Sequence, residues 1–174
     1  MPRLPLLTED RDGLLERTRT RLGRLPNLYA TLANSPAALG GYLALHEHLG
    51  NGALTPKLRE QLALLTAQHN ECTYCVSAHT LRGRRLLGLD EEQLARTREA
   101  ADDTDPHADA VLRLADRVLH SRGRVTDEEL AAARAAGVTD AELAEITAHV
   151  ALNTLSNYFN HLAQPALDFP EVPA

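Results

Sequence analysis

Five helix-start signals recur along this chain at short intervals, and they limit its fold more than any other feature. Ser35-Pro36 and Thr55-Pro56 each place a capping hydroxyl before a proline suited to the first helical turn. Asp90 with Gln93, Thr126 with Glu129 and Thr139 with Glu142 have the spacing of reciprocal capping boxes. Gly50-Asn51-Gly52, Gly88 and Gly137 stand where helices would stop. No run shows the strict apolar alternation of a half-buried strand, and the chain is rich in Ala, Leu, Arg and Glu but poor in Ile, Phe and Trp. The expectation is an all-α bundle of roughly eight helices, at residues 9–22, 36–49, 57–69, 72–87, 91–101, 106–121, 127–136 and 140–163. Short connections suggest one domain over 1–174, with a core at about 55–90 and an N-terminal helical arm at about 1–50.

A chain of 174 residues can bury roughly 70% of its unfolded surface, so it needs neither disulfide nor metal to fold. The first fifteen residues, MPRLPLLTEDRDGLL, carry acidic groups where a signal peptide is apolar, and no apolar run approaches the ~18 residues of a membrane span. A cytoplasmic location is expected. The formal charge of -6, with no basic block, argues against nucleic acid and anionic membranes as partners. Small molecules and other proteins remain.

Both cysteines of the chain fall within Glu71–Thr80, ECTYCVSAHT. On a helix Cys72, Cys75 and His79 occupy positions i, i+3 and i+7, projecting from one face within roughly 60°. The cysteine backbones would lie about 5–5.5 Å apart, which a disulfide accepts. If the turn at Asn70 ends the preceding helix, both thiols sit near a helix N-terminus, where the dipole and free amides stabilise a thiolate. His79, one turn beyond Cys75, could take the thiol proton. Two rivals stand beside this redox reading. Inert core thiols are one, and a metal site is the other. Two cysteines and one histidine supply three ligands where structural zinc uses four, so His69 or Glu71 would have to complete it. A thioredoxin-like motif would follow a strand, and none precedes Cys72. The expectation is no metal and no cofactor.

The pattern Glu60, eleven residues, Cys72, two residues, Cys75, three residues, His79 resembles the signature of the alkylhydroperoxidase D family, within the carboxymuconolactone decarboxylase superfamily. The segment REQLALLTAQHNECTYCVSAHT is similar to that family's core helix pair, and NTLSNYFNHLAQPALDF resembles the last helix of its peroxidase-related members. The resemblance extends from about Leu25 onward. It implies an all-helical fold, assembly as trimers or hexamers, and reduction of hydroperoxides by the cysteine pair. Carried over by position, Cys75 is the attacking thiol, Cys72 the resolving thiol, His79 the base and Glu60 the relay carboxylate. The reductant implied is a dithiol, such as a dihydrolipoyl protein or a peroxiredoxin partner. Tyr74 departs from the pattern, standing where the mycobacterial type has a relay histidine. A redox sensor or oligomeric binding protein, and a lactone-processing decarboxylase-like enzyme, are the alternatives.

Other polar residues read more plainly. His46, His48, His107 and His120 are expected on helix surfaces, and His149 and His161 as hydrogen-bonded core or interface groups. Asn153, Asn157 and Asn160 read as polar packing. The apolar residues Val150, Leu152, Leu155, Tyr158 and Phe159 spread around much of one helix, so part of it should face another subunit. An internal repeat shifted by 85 residues would overlay Leu58 and Glu60 on Leu143 and Glu145, and chance accounts for that as well.

Overall fold

The computed structural model describes residues 2–9 and 12–174. These residues form nine helices and no strand: α1 Leu14–Leu22, α2 Asn27–Leu32, α3 Pro36–Gly50, α4 Pro56–His69, α5 Thr73–Leu87, α6 Glu91–Arg98, α7 Pro106–Ser121, α8 Asp127–Ala135 and α9 Asp140–Ala163. All five sequence-level caps form. The Ser35 and Thr55 hydroxyls accept from the amides of Ala38 and Leu58, and reciprocal boxes open α6, α8 and α9. Gly88 and Gly137 adopt positive φ at 67° and 92°, the left-handed geometry that ends a helix.

Eight expected helices become nine because α2 has no side-chain cap to announce it. Its stability comes from packing: Leu28, Tyr29, Ala30, Thr31 and Leu32 are all buried. Several expected bounds also move, most by a single residue. The first helix begins at Leu14 behind Gly13, whose φ is 66°, while residues 10 and 11 of the expected 9–22 span lie outside the described residues. The sixth closes at Arg98 because Ala100 turns left-handed at φ 60°. The fifth starts one residue late, at Thr73.

Helix α4 is the central element. It packs against α5, α6, α7 and α9, and every residue from Gln61 to Ala67 is buried. Its faces separate two apolar clusters. Leu64 and Ala67 join Leu15, Tyr29, Leu39, Tyr42, Val76 and Leu152 in one, while Leu58, Leu62 and Leu65 join Val111, Leu112, Ala115 and Ile146 in the other. A helix buried all round must carry polar side chains only where partners await them. Gln61 meets Asp102 and Thr97, and Glu60 meets the site described below. The 85-residue shift finds no structural echo: α9 runs unbroken from 140 to 163, whereas 56–87 is divided at Asn70–Cys72. No helix among the described residues is long and apolar enough to cross a membrane.

Candidate active site

The turn between α4 and α5 places the cysteines. Asn70 caps α4, Glu71 takes a left-handed φ of 54°, and the amides of Glu71 and Cys72 donate to the carbonyls of Gln68 and Ala67 at 3.0 and 2.9 Å. This paired closure satisfies the last carbonyls of α4 and leaves Cys72 as the residue that starts α5. Cys72 is therefore not inside the helix as the sequence suggested. With φ −91° and ψ 89° it is the N-cap, and its sulfur accepts from the Cys75 amide at 3.3 Å, the position a serine or aspartate oxygen would normally fill. Cys72 and Cys75 are joined as a disulfide with Cα atoms 5.3 Å apart. Both are buried, at 2% and 3% exposure.

One turn further along α5, His79 Nδ1 lies 2.6 Å from Glu60 Oε1 on α4. Arg82 Nε donates to the other carboxylate oxygen at 3.1 Å. Burial pushes the Glu60 carboxyl up, but the His79 and Arg82 charges and hydrogen bonds outweigh it and hold the group below its ordinary value. A carboxylate on Nδ1 sets the tautomer, leaving Nε2 as the nitrogen that can exchange a proton. Arg82 was not singled out in the sequence. Its i+3 spacing from His79 was the available signal.

Glu60, Cys75, His79 and Arg82 line one cavity of about 570 Å³. Cys72 is not among its lining residues. The opposite wall comes from α9, whose His149, Asn153, Ser156 and Asn160 recur along one buried face. Asn160 Nδ2 donates to Cys75 Sγ at 3.2 Å, so this asparagine is more than polar packing. Its Oδ1 and the His149 Nε2 are buried without a protein partner. Burial, then the Arg59 charge, pushes the His149 pKa below its ordinary value. His46 is also a correction. Expected at the surface, it lines the cavity, and burial followed by the Arg21 and Arg82 charges lowers its pKa to about 4. Tyr42 closes this side, hydrogen-bonded to Ser156 and packed edge-on to Tyr29 at 6.0 Å.

Tyr74, between the cysteines, anchors the C-terminal segment and the start of α2. Its hydroxyl donates to Asp168 Oδ1 at 2.7 Å and accepts from the Leu28 amide at 3.1 Å. Asp168 also pairs with Arg24, and Phe169 stacks edge-on against the Tyr74 ring at 5.4 Å. Tyr74 thus holds the C-terminal segment and the start of α2 against α5. The remaining histidines fall as follows: His48 is exposed with Nδ1 2.8 Å from the Ala44 carbonyl, His107 pairs with Glu142, His161 Nε2 meets the Asn70 carbonyl at 2.7 Å, and the His69 ring packs edge-on to His120. Glu71 is exposed. Among the described residues, one group of three potential metal ligands forms, His69, Asp116 and His120, and it contains neither cysteine.

An all-α fold with a cysteine pair at a helix start beside a buried carboxylate–histidine dyad is an arrangement suited to thiol chemistry. Residues 36–117 match the carboxymuconolactone decarboxylase family, and the fold is that of alkylhydroperoxidase D-like proteins. A peroxidase-related protein from Ralstonia eutropha JMP134, described as an alkylhydroperoxidase AhpD core, superposes with TM-score 0.81 at 28% identity, over 98% of this chain and 96% of that one. A peroxidase-related protein from Silicibacter sp. TM1040 gives 0.80 at 21%, over 95% and 91%. A debrominase bound to 2,3,4-tribromopyrrole gives 0.78 at 17%, over 97% and 93%, a likeness of fold alone. No curated protein matches the sequence.

Proposed function

We propose that this protein is a thiol-dependent peroxidase that reduces hydroperoxides through Cys75 and Cys72. The observation that carries the reading is the asymmetry of the pair: Cys75 lines the cavity with Glu60 and His79, while Cys72 does not. In the dithiol form, His79 Nε2 takes the Cys75 proton and Glu60, fixed by Arg82, steadies the imidazolium. The Cys75 thiolate attacks the distal peroxide oxygen. The O–O bond breaks, the sulfur becomes a sulfenic acid, and the alkoxide leaves as alcohol after taking the proton from His79. The Cys72 thiol then displaces water from that sulfenic acid, and the disulfide forms. A dithiol, oxidised in turn, returns the pair to two thiols. The 5.3 Å separation lets the pair open and close without rearranging the helices.

The working unit in this reading is a homo-oligomer, a trimer or hexamer. Leu155, Tyr158 and Leu162 form a stripe on α9 that is 48%, 61% and 60% exposed. Leu152 on the same helix is buried and Phe159 packs against the core, so the apolar ring seen in the sequence divides into an inward and an outward face.

The deciding experiment is thiol titration before and after one equivalent of an organic hydroperoxide, followed by turnover with candidate dithiols. Two thiols lost per alcohol formed, with turnover restored by a dithiol, is the expected result. Thiols that persist with peroxide unreduced would overturn the reading. Stoichiometric oxidation without turnover by any dithiol would make the protein a redox sensor instead.

A further inference from the structure

We propose that His69, Asp116 and His120 bind a divalent transition-metal ion of the zinc class at the seam of α4 and α7. His69 is the last residue of α4, and Asp116 and His120 lie one turn apart on α7, which packs directly against it. His69 stands 47 and 51 residues before the other two, yet the donor atoms of all three lie within 4.8 Å of one another. The His69 and His120 ring centroids are 4.6 Å apart.

Two imidazoles and one carboxylate are borderline donors, suited to zinc, nickel or copper, whereas calcium and magnesium take oxygen ligands. The tautomer of His120 is already set for ligation. Its Nδ1 meets the Asp116 carbonyl at 3.0 Å and the Asp116 carboxylate at 3.1 Å, so Nδ1 carries the proton and Nε2 presents its lone pair. Asp116 retains its second oxygen as a donor.

Ligands at about 2.0–2.1 Å from a tetrahedral metal stand about 3.4 Å apart, so donor atoms that now lie within 4.8 Å must close by up to about 1.4 Å. His120 is exposed and can rotate that far without disturbing the core. Three protein donors leave a fourth position for water, which makes the ion exchangeable. None of the three residues lines the cysteine cavity, so this site is independent of the redox pair. It nevertheless sits at the end of α4, immediately before the Asn70–Cys72 turn, and a bound ion would tie that end to α7.

The test is calorimetric titration of the oxidised, tag-free protein with zinc chloride. In the disulfide form neither sulfur can act as a thiolate ligand, so any uptake reports on other residues. One equivalent per chain is expected, weakened at least tenfold by either His69→Ala or His120→Ala and weakened by Asp116→Asn, with no heat from calcium or magnesium chloride. Circular dichroism of each variant checks that the helices are intact. Stacking of the two rings without ligation predicts no saturable uptake, and that result would overturn the proposal. So would an equivalent of zinc that survives in the His69→Ala/His120→Ala double variant.

Discussion

Asn160, near the end of the last helix, donates its side-chain N–H to the sulfur of Cys75 at 3.2 Å, joining residues 85 positions apart. A neutral donor of this kind favours thiolate over thiol, and a hydrogen bond to a charged group contributes about 1.5–3 kcal/mol. In a Cys72→Ser background, Asn160→Ala should therefore raise the Cys75 pKa and slow its reaction at neutral pH by roughly 10-fold or more. Asn160→Asp should slow it further, because a carboxylate repels the thiolate. The pH profile of iodoacetamide alkylation measures both. A profile unchanged from Cys72→Ser alone would remove Asn160 from the site.

The proposed order of attack rests on which sulfur meets the cavity. Cys72→Ser should react once with peroxide and stall as a sulfenic acid that dimedone traps on Cys75, whereas Cys75→Ser should show no fast reaction. His79→Ala and Glu60→Gln should slow the first step without abolishing it, since they tune the thiolate but do not supply the sulfur. A dimedone adduct on Cys72 in Cys75→Ser, with none on Cys75 in Cys72→Ser, would reverse the assignment.

His46 makes stability depend on pH. Its pKa is about 4 when folded, against 6.5 ordinarily, so between those values the unfolded chain binds a proton that the folded chain does not. Stability should fall as pH drops through that window and level off above it. His149, also lowered by burial, acts in the same direction. Urea unfolding of His46→Gln at pH 4.5, 5.5, 6.5 and 7.5 should give a visibly flatter dependence than the parent; an identical slope would show that His46 titrates normally.

The outward stripe of α9 bears on assembly. Light scattering at micromolar concentration should show a trimer or hexamer, and Tyr158→Glu with Leu162→Glu should shift it toward monomer while leaving the helical signal unchanged. These two side chains are the most exposed of the stripe, so their replacement does not open the core. A parent protein that is wholly monomeric would rule the interface out.

Local chemistry in the sequence sufficed for the helices that begin with a cap, because an N-cap hydroxyl or carboxylate meets amides only two or three residues away. It also sufficed for the closeness of Cys72, Cys75 and His79, whose spacing is a property of the helix itself. The uncapped α2 was invisible because its first amides are met by Tyr74 and Asp168, far away in the sequence, and its side chains by tertiary packing, and the helix start at Cys72 moved by one residue because the closure of α4 at Glu71 decides where α5 can begin. Only the tertiary structure could show that Arg82 and His79 share one carboxylate, that Asn160 reaches Cys75, that Tyr74 holds Asp168, and that His69 turns to His120. Each of these depends on which face of one helix meets which face of another. Hydrophobic burial sets that register across the whole core, and no window of neighbouring residues contains it.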